Sequence, residues 1–201
     1  MKKIILVILT LLPINVCAQW RVGITGGGVY NKYTTDDYYL SDLYTDEKWG
    51  LTIGAASQYT IKEWNWLNSA FGIRAEINLT NKAYVVLKKN ISSPSYIDAI
   101  NRYYLQIPAM ASFSFGSKKI RGVVNLGGYG GFLFDTNEWN RKANFGGVGG
   151  IGCEYTFRQL TFQVEGRFYA DALSTTKPDR AFNTPHYNTT LALQAALFYN
   201  F

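Results

Sequence analysis

The sequence predicts an all-β protein, an eight-stranded antiparallel up-and-down transmembrane β-barrel preceded by a cleavable signal peptide. Three observations carry that expectation. Apolar residues recur at every second position through one segment after another, the period of a strand with one apolar face. The chain holds 15 Tyr, 12 Phe, 5 Trp and 19 Gly, a composition suited to closed sheets with aromatic girdles. Beyond the N-terminal leader no apolar run reaches the roughly 18 residues a spanning helix needs.

Residues 1–18 read as the signal peptide and residues 19–201 as the barrel domain. Lys2 and Lys3 form a basic start and Ile4 to Leu12 a short apolar core. Val16-Cys17-Ala18 then offers the small residues a signal peptidase reads. A rival reading makes Cys17 a lipidated N-terminus, although Val16 is bulky where that signal wants Gly or Ala. Loss of Lys2 and Lys3 lowers the formal net charge from +6 to +4, too mild to imply nucleic acid as a partner. Cys153 is then the only thiol, so an intrachain disulfide is excluded. An exported domain of this size without that staple needs a large core or a membrane.

Trp20 to Asn31 opens the domain, with Trp20, Val22 and Ile24 on one face and Arg21, Gly23 and Thr25 on the other. Gly26-Gly27-Gly28 gives it a place to bend or bulge. Lys32 to Lys48 is acidic, tyrosine-rich and reads as a long loop. Trp49 to Thr60 restores the alternation through Trp49, Leu51, Ile53, Ala55 and Tyr59. Ile61 to Asn68 is a short connection that sets Trp64 and Trp66 at an interface. Ala70 to Thr80 alternates most cleanly: Phe71, Ile73, Ala75, Ile77 and Leu79 against Gly72, Arg74, Glu76, Asn78 and Thr80.

Asn81 to Arg102 is a second long loop or a strand extension, basic through Lys82, Lys88 and Lys89. Tyr103 to Phe115 is the fourth strand, in which Pro108 lacks a donor for the ladder and suggests a local bulge. Gly116 to Lys119 turns the chain into the Gly-rich strand Ile120 to Phe134. Asp135 to Ala143 is a loop around Trp139, and Asn144 to Phe157 the sixth strand. Arg158-Gln159 is a tight turn. Leu160 to Ala170 is the seventh strand, and Asp171 to Asn188 the last loop.

The final strand, Thr189 to Phe201, places Leu191, Leu193, Ala195, Leu197, Tyr199 and Phe201 on one face. Leu193, Leu197, Tyr199 and the terminal Phe201 resemble the C-terminal insertion signal of outer-membrane barrels, which implies outer-membrane insertion machinery as a partner. Each of the eight strands is long enough for a tilted crossing of about 9–11 residues. Connections after the odd strands are long and polar and those after the even strands short, as in an outer-membrane barrel with both termini periplasmic. A soluble lipocalin-like barrel shares the topology but keeps its polar face outside. Here the mixed face carries Gly and Ser beside its charges, which suits a narrow lumen.

Tyr104-Leu105-Gln106-Ile107-Pro108 and Glu165-Gly166-Arg167-Phe168-Tyr169-Ala170-Asp171-Ala172-Leu173 resemble the PorT-like outer-membrane β-barrel family. Gly149-Gly150-Ile151-Gly152-Cys153-Glu154-Tyr155 stands in the place of its glycine-rich sixth strand. The resemblance implies an eight-stranded barrel in the outer membrane of a Gram-negative bacterium, in contact with lipid and lipopolysaccharide. It implies no shared activity, and the namesake's link to secretion and gliding machinery is not carried over.

The chemistry worth weighing is inward. Arg21, Arg74, Glu76, Glu154, Glu165 and Arg167 balance three bases against three acids and are expected to pair across the lumen as a structural plug. Gln106, Asn125, Gln163 and Gln194 are expected to complete the hydrogen bonding. A gated ion path is the rival reading. No catalytic, cofactor or metal residues are assigned. His186, beside Pro185 and near Ser174, has no acid that clearly orients it, and one His with one thiol makes a poor zinc site. Gly147-x-Gly149-x-x-Gly152 matches a dinucleotide fingerprint in letters only, because strand-like residues follow it. Asn78, Asn90 and Asn188 head N-glycosylation patterns that mean little for bacterial export.

Function is therefore expected in the loops. The first reading is a structural or surface-binding barrel. The alternatives are the barrel subunit of a secretion or envelope complex, with an envelope protein partner, and a lipid-modifying enzyme centred on His186.

Overall fold

Strands with one apolar and one polar face lose their open edges only if the sheet closes on itself. The computed structural model, which describes residues 20–34, 43–90, 93–134, 143–172 and 187–201, shows that closure. Its strands are β1 (Trp20–Thr34), β2 (Leu43–Trp64), β3 (Ser69–Asn90), β4 (Ser93–Gly116), β5 (Ile120–Leu133), β6 (Ala143–Phe157), β7 (Leu160–Asp171) and β8 (Tyr187–Asn200). Each pairs antiparallel with its sequence neighbours, and β8 returns to β1. That seam runs from Arg21↔Asn200 to Thr34↔Tyr187 without a shift. The Phe201 N–H extends it, donating to the Trp20 carbonyl at 3.2 Å.

The alternation decides which side faces out. Ile24, Leu51, Ile53, Leu126, Ile151 and Leu193 stand on the outer wall, each at least 60 % exposed. Arg74, Glu76, Glu165 and Arg167 lie inside at 2 % each. A continuous apolar outer wall of this kind is incompatible with water and matches lipid, which removes the soluble-barrel alternative. Aromatic side chains collect at both rims. Trp20 packs on Tyr59 (centroids 5.2 Å apart) and Tyr199 on Phe201 (5.3 Å) at the short-turn end; Tyr30 packs on Trp49 (5.4 Å) at the other. Along β1, Trp20 and Tyr30 are ten residues apart, roughly 33 Å of strand. A tilt near 40° foreshortens that to about 25 Å, the height of an outer-membrane apolar band.

The structure departs from the sequence reading in three places and chooses between its alternatives in a fourth. β1 runs on to Thr34 and β2 begins at Leu43, so Lys32–Thr34 and Leu43–Lys48 of the expected loop are strand. The Asn81–Arg102 stretch is strand extension: β3 reaches Asn90 and β4 starts at Ser93. Neither segment keeps one apolar and one polar face, since Val85, Val86 and Leu87 are consecutive and the first segment is polar, and period-two hydrophobicity fades once a strand leaves the bilayer. Pro108 makes no bulge, because the pairing of β4 with β5 passes through Pro108↔Tyr129 unshifted. The bulges fall elsewhere, between Glu47 and Thr52, Thr60 and Lys62, and Val86 and Leu87. Gly26 to Gly28 does not break register with either neighbour. Gly27 answers a close approach instead: a Cβ there would stand 2.1 Å from the Leu193 carbonyl oxygen. The signal peptide, Trp139, Ser174 and His186 lie outside the described residues.

Short connections behave as expected. A single 3-10 turn, Trp66–Asn68, joins β2 to β3, with Trp66 74 % exposed at the rim and Lys62 over the Trp64 ring at 5.5 Å. Gly116, at φ 139°, makes the bend after β4, and the Ser117 N–H donates to the Ile120 carbonyl at 2.8 Å. On this packing, Gly27→Ala should lower unfolding stability in detergent micelles by about 1–3 kcal/mol, the usual cost of overpacking. Gly147→Ala, where a Cβ would meet nothing within 4 Å, should leave the urea midpoint unchanged.

Candidate functional site

The lumen collects the polar side chains because each strand turns its polar face inward. Its centre is built from two strands on opposite sides of the barrel. β3 offers Arg74-Ala75-Glu76 and β7 offers Glu165-Gly166-Arg167, the same spacing with the charges reversed. Across the lumen Arg167 forks onto Glu76, Nη1 to Oε2 and Nη2 to Oε1, both at 2.7 Å. Arg74 Nη1 lies 3.5 Å from Glu165 Oε2. Along each strand, Arg74 Nε meets Glu76 Oε1 at 2.5 Å and Arg167 Nε meets Glu165 Oε1 at 2.9 Å. The four groups close a ring of alternating charge, and each acid touches both bases.

Neutral amides finish the ring. Gln163 accepts from Arg74 Nη1 at 2.9 Å and donates to Glu165 Oε2 at 2.9 Å. Asn78 Nδ2 donates to Glu76 Oε2 at 2.8 Å. Gly150, opposite Arg167, leaves the room this needs: a Cβ there would stand 2.0 Å from Glu165 Oε1. Of the other amides expected to help, Gln106 Nε2, Gln194 Oε1 and both amide atoms of Asn125 find no partner. Their strands place them inside the barrel, but out of reach of the ring's remaining polar atoms.

The second pair is separate. Arg21 Nη1 donates to Glu154 Oε2 at 2.7 Å, from β1 to β6, and Arg21 Nη2 to Gln58 Oε1 at 2.8 Å. Phe198 joins the two assemblies. Fully buried in β8, its ring lies 4.8 Å from the Arg21 guanidinium and 5.0 Å from that of Arg74. A desolvated cation over an aromatic face gains about 2 kcal/mol. Beside the ring, Val29, Met110, Tyr129, Val148, Tyr169 and Ala192 form an apolar cluster. Tyr169 belongs to both, since its hydroxyl accepts from Arg167 Nη1 at 3.3 Å.

Further along β3, Lys82 is fully buried, and the hydroxyl of Tyr129 donates to Asp171, which also accepts from Asn144 at 3.4 Å. The sequence reading left Lys82 in a stretch that is either loop or strand extension, put Asp171 in a loop and gave Phe198 no role. The signal was present: Lys82 follows Gly72, Arg74, Glu76, Asn78 and Thr80 at even positions, and Asp171 follows Gln163, Glu165, Arg167 and Tyr169 at odd ones. Running each alternation one step further places both inside.

Chemically the centre is a neutral ring of two bases and two acids. Neither carboxylate of the ring is free to act as a base. Among the described residues no three His, Cys, Asp or Glu side chains approach closely enough to hold a metal. Gly147 to Gly152 lies within β6, so that glycine pattern offers no helix N-terminus to a phosphate.

Fold and lumen together define a membrane-spanning eight-stranded barrel whose interior is crossed by a ring of paired charges. The chain belongs to the outer membrane protein beta-barrel domain family, whose model matches residues 15–176, and this places it in the outer membrane of a Gram-negative bacterium. OprG of Pseudomonas aeruginosa shares the fold at a TM-score of 0.59 and 12 % identity, over 92 % of this chain and 97 % of that one. Neisserial surface protein A aligns over 90 % and 97 % at 13 % identity and TM-score 0.48. The outer-membrane protease OmpT of Escherichia coli aligns over 92 % and 97 % at 8 % identity and TM-score 0.43. These last two superpositions are too loose to bear on function. No curated protein sequence matches the chain.

Removing one member of the ring strands a buried charge. Glu76→Ala and Arg167→Ala should each lower unfolding stability in micelles by about 3–5 kcal/mol. The double variant leaves Arg74 and Glu165 as a balanced pair, so a double-mutant cycle should find it clearly less destabilised than the sum.

Proposed function

We propose that the protein works from its surface, as a closed-lumen outer-membrane barrel whose long connections present a structural or binding surface, with both chain ends in the periplasm. The observation that carries this reading is the neutral Arg74–Glu76–Arg167–Glu165 ring that ties β3 to β7 across the lumen. An eight-stranded barrel leaves an interior just wide enough for side chains to fill. An ion path would require the ring to part, and that means breaking both contacts across the lumen, Arg167–Glu76 and Arg74–Glu165, together. No step of catalysis is assigned to the lumen, because its central acids are held by arginines.

In sequence, Asp36, Asp37 and Asp42 lie between β1 and β2 or at their junction, and Lys88 and Lys89 fall near the end of β3. Mixed charge of this kind suits a protein partner or lipopolysaccharide headgroups. A second reading makes the barrel the anchoring subunit of a secretion or envelope complex. In β8, Leu193, Leu197 and Tyr199 face outward, and Phe201 just beyond it is exposed as well, which supports their service as the insertion signal.

Purified wild-type protein in planar bilayers should give no steady open level, and neither should Glu76→Ala; large stable channels from the wild type would overturn the sealed-lumen reading. Extraction in mild detergent separates the two roles, since a stoichiometric co-purifying subunit supports the anchor and a lone barrel the surface protein. Deleting Phe201 should lower the folded, heat-modifiable fraction in the outer membrane several-fold without altering the amount exported.

A further inference from the structure

The short-turn end of the barrel carries charge that the lumen does not use. Residues 61–68, 116–119 and 158–159 join β2 to β3, β4 to β5 and β6 to β7. They hold four cations, Lys62, Lys118, Lys119 and Arg158, against one acid, Glu63, and all five side chains are exposed. Two hydrogen bonds join the three turns into one rim. Asn68 Nδ2 donates to the Gly116 carbonyl at 3.2 Å, and the Thr156 N–H to the Lys119 carbonyl at 2.8 Å. Among the described residues none of the four cations makes an ion pair.

Exposed apolar side chains stand among these charges: Trp64, Trp66, Leu67 and Phe157. Lys62 Nζ lies over the Trp64 ring at 5.5 Å, and the Arg158 guanidinium over the Phe157 ring at 5.4 Å. Leu67 and Arg158 keep positive φ, 51° and 54°, where Gly or Asn would sit at lower cost. Water gives no reason to hold an exposed Leu and Trp beside cations, and neither does a polar polymer. The headgroup layer of a bilayer suits both, because rings and aliphatic stems sink to the acyl boundary while the charges reach phosphate. The rim also continues the lipid-facing wall, through Ile61, Ile120 and Leu160. We propose that it binds anionic phospholipid headgroups through Lys62, Lys118, Lys119 and Arg158, selecting them over zwitterionic ones in the leaflet that the short turns meet. The selection rests on the lipid-facing wall, not on any role of the long connections, so either can fail alone.

The test reconstitutes the mature barrel into vesicles of phosphatidylcholine and phosphatidylglycerol, with brominated acyl chains on one lipid at a time. Bromine quenches tryptophan, and Trp64 and Trp66 stand on the rim, so the quenching ratio reports which lipid gathers there. Phosphatidylglycerol should be enriched about fivefold at low ionic strength, the worth of one cation near an anionic surface. High salt should erase most of that enrichment. Replacing Lys62, Lys118, Lys119 and Arg158 together by Gln should remove most of it at low salt, whereas Glu63→Gln should raise it. All four positions are exposed, so the quadruple variant should keep its folded, heat-modifiable band. Lys118→Gln combined with Lys119→Gln touches one turn only and should lose part of the preference. Equal quenching by the two lipids in the wild type, or an unchanged preference in the quadruple variant, would overturn the proposal. So would sedimentation of the wild type with isolated cell-wall sacculi in the absence of any lipid preference, which would assign the rim to the wall.

Discussion

Four charges spread over two facing strands hold the inside of this barrel together. A carboxylate or guanidinium in the dry interior is unstable alone, so each must meet its opposite. Arg74 and Glu76 can do that only if β7 brings Glu165 and Arg167 to the same depth with the order reversed. The distances show that it does, down to a bidentate fork between Arg167 and Glu76. Everything else in the lumen is arranged around that requirement. Gly150 clears space for it, Gln163 and Asn78 occupy its remaining lone pairs and protons, and Tyr169 ties it to the apolar cluster.

The outer wall imposes a different constraint, and the two are coupled by the pleat. Each residue that lipid selects as Leu, Ile or Phe fixes its neighbours as inward. Register along a strand is therefore set twice, once by the bilayer and once by the charge ring. That redundancy suits a fold whose strands cannot rely on a packed hydrophobic core for their alignment.

Much of this was legible in the residues. The eight strands, their order and the inward placement of Arg21, Arg74, Glu76, Glu154, Glu165 and Arg167 all follow from period two. What was not legible has physical causes. Beyond the bilayer, β2 to β4 no longer need an apolar face, so their ends at Leu43, Asn90 and Ser93 leave no hydrophobic signature. Pro108 sits in the ladder without a bulge because one absent donor does not displace a strand held on both sides. Which amide serves which charge depends on side-chain reach across the barrel, so Gln163 is used while Asn125 is not. Contacts between β1 and β6 or β3 and β7 join residues far apart in the chain, and alternation says nothing about which strands face each other.

Phe198 gives the last strand a part in quality control. Shift β8 by one residue against β1 and Phe198 turns to the lipid, while Leu197 enters a chamber of guanidinium groups and Gln194 meets hydrocarbon. Arg21 and Arg74 would lose the shared ring between them at the moment the seam zips. A misaligned closure is thus penalised from both sides of the wall, and the barrel has a built-in check on whether its first and final strands have met in the right place.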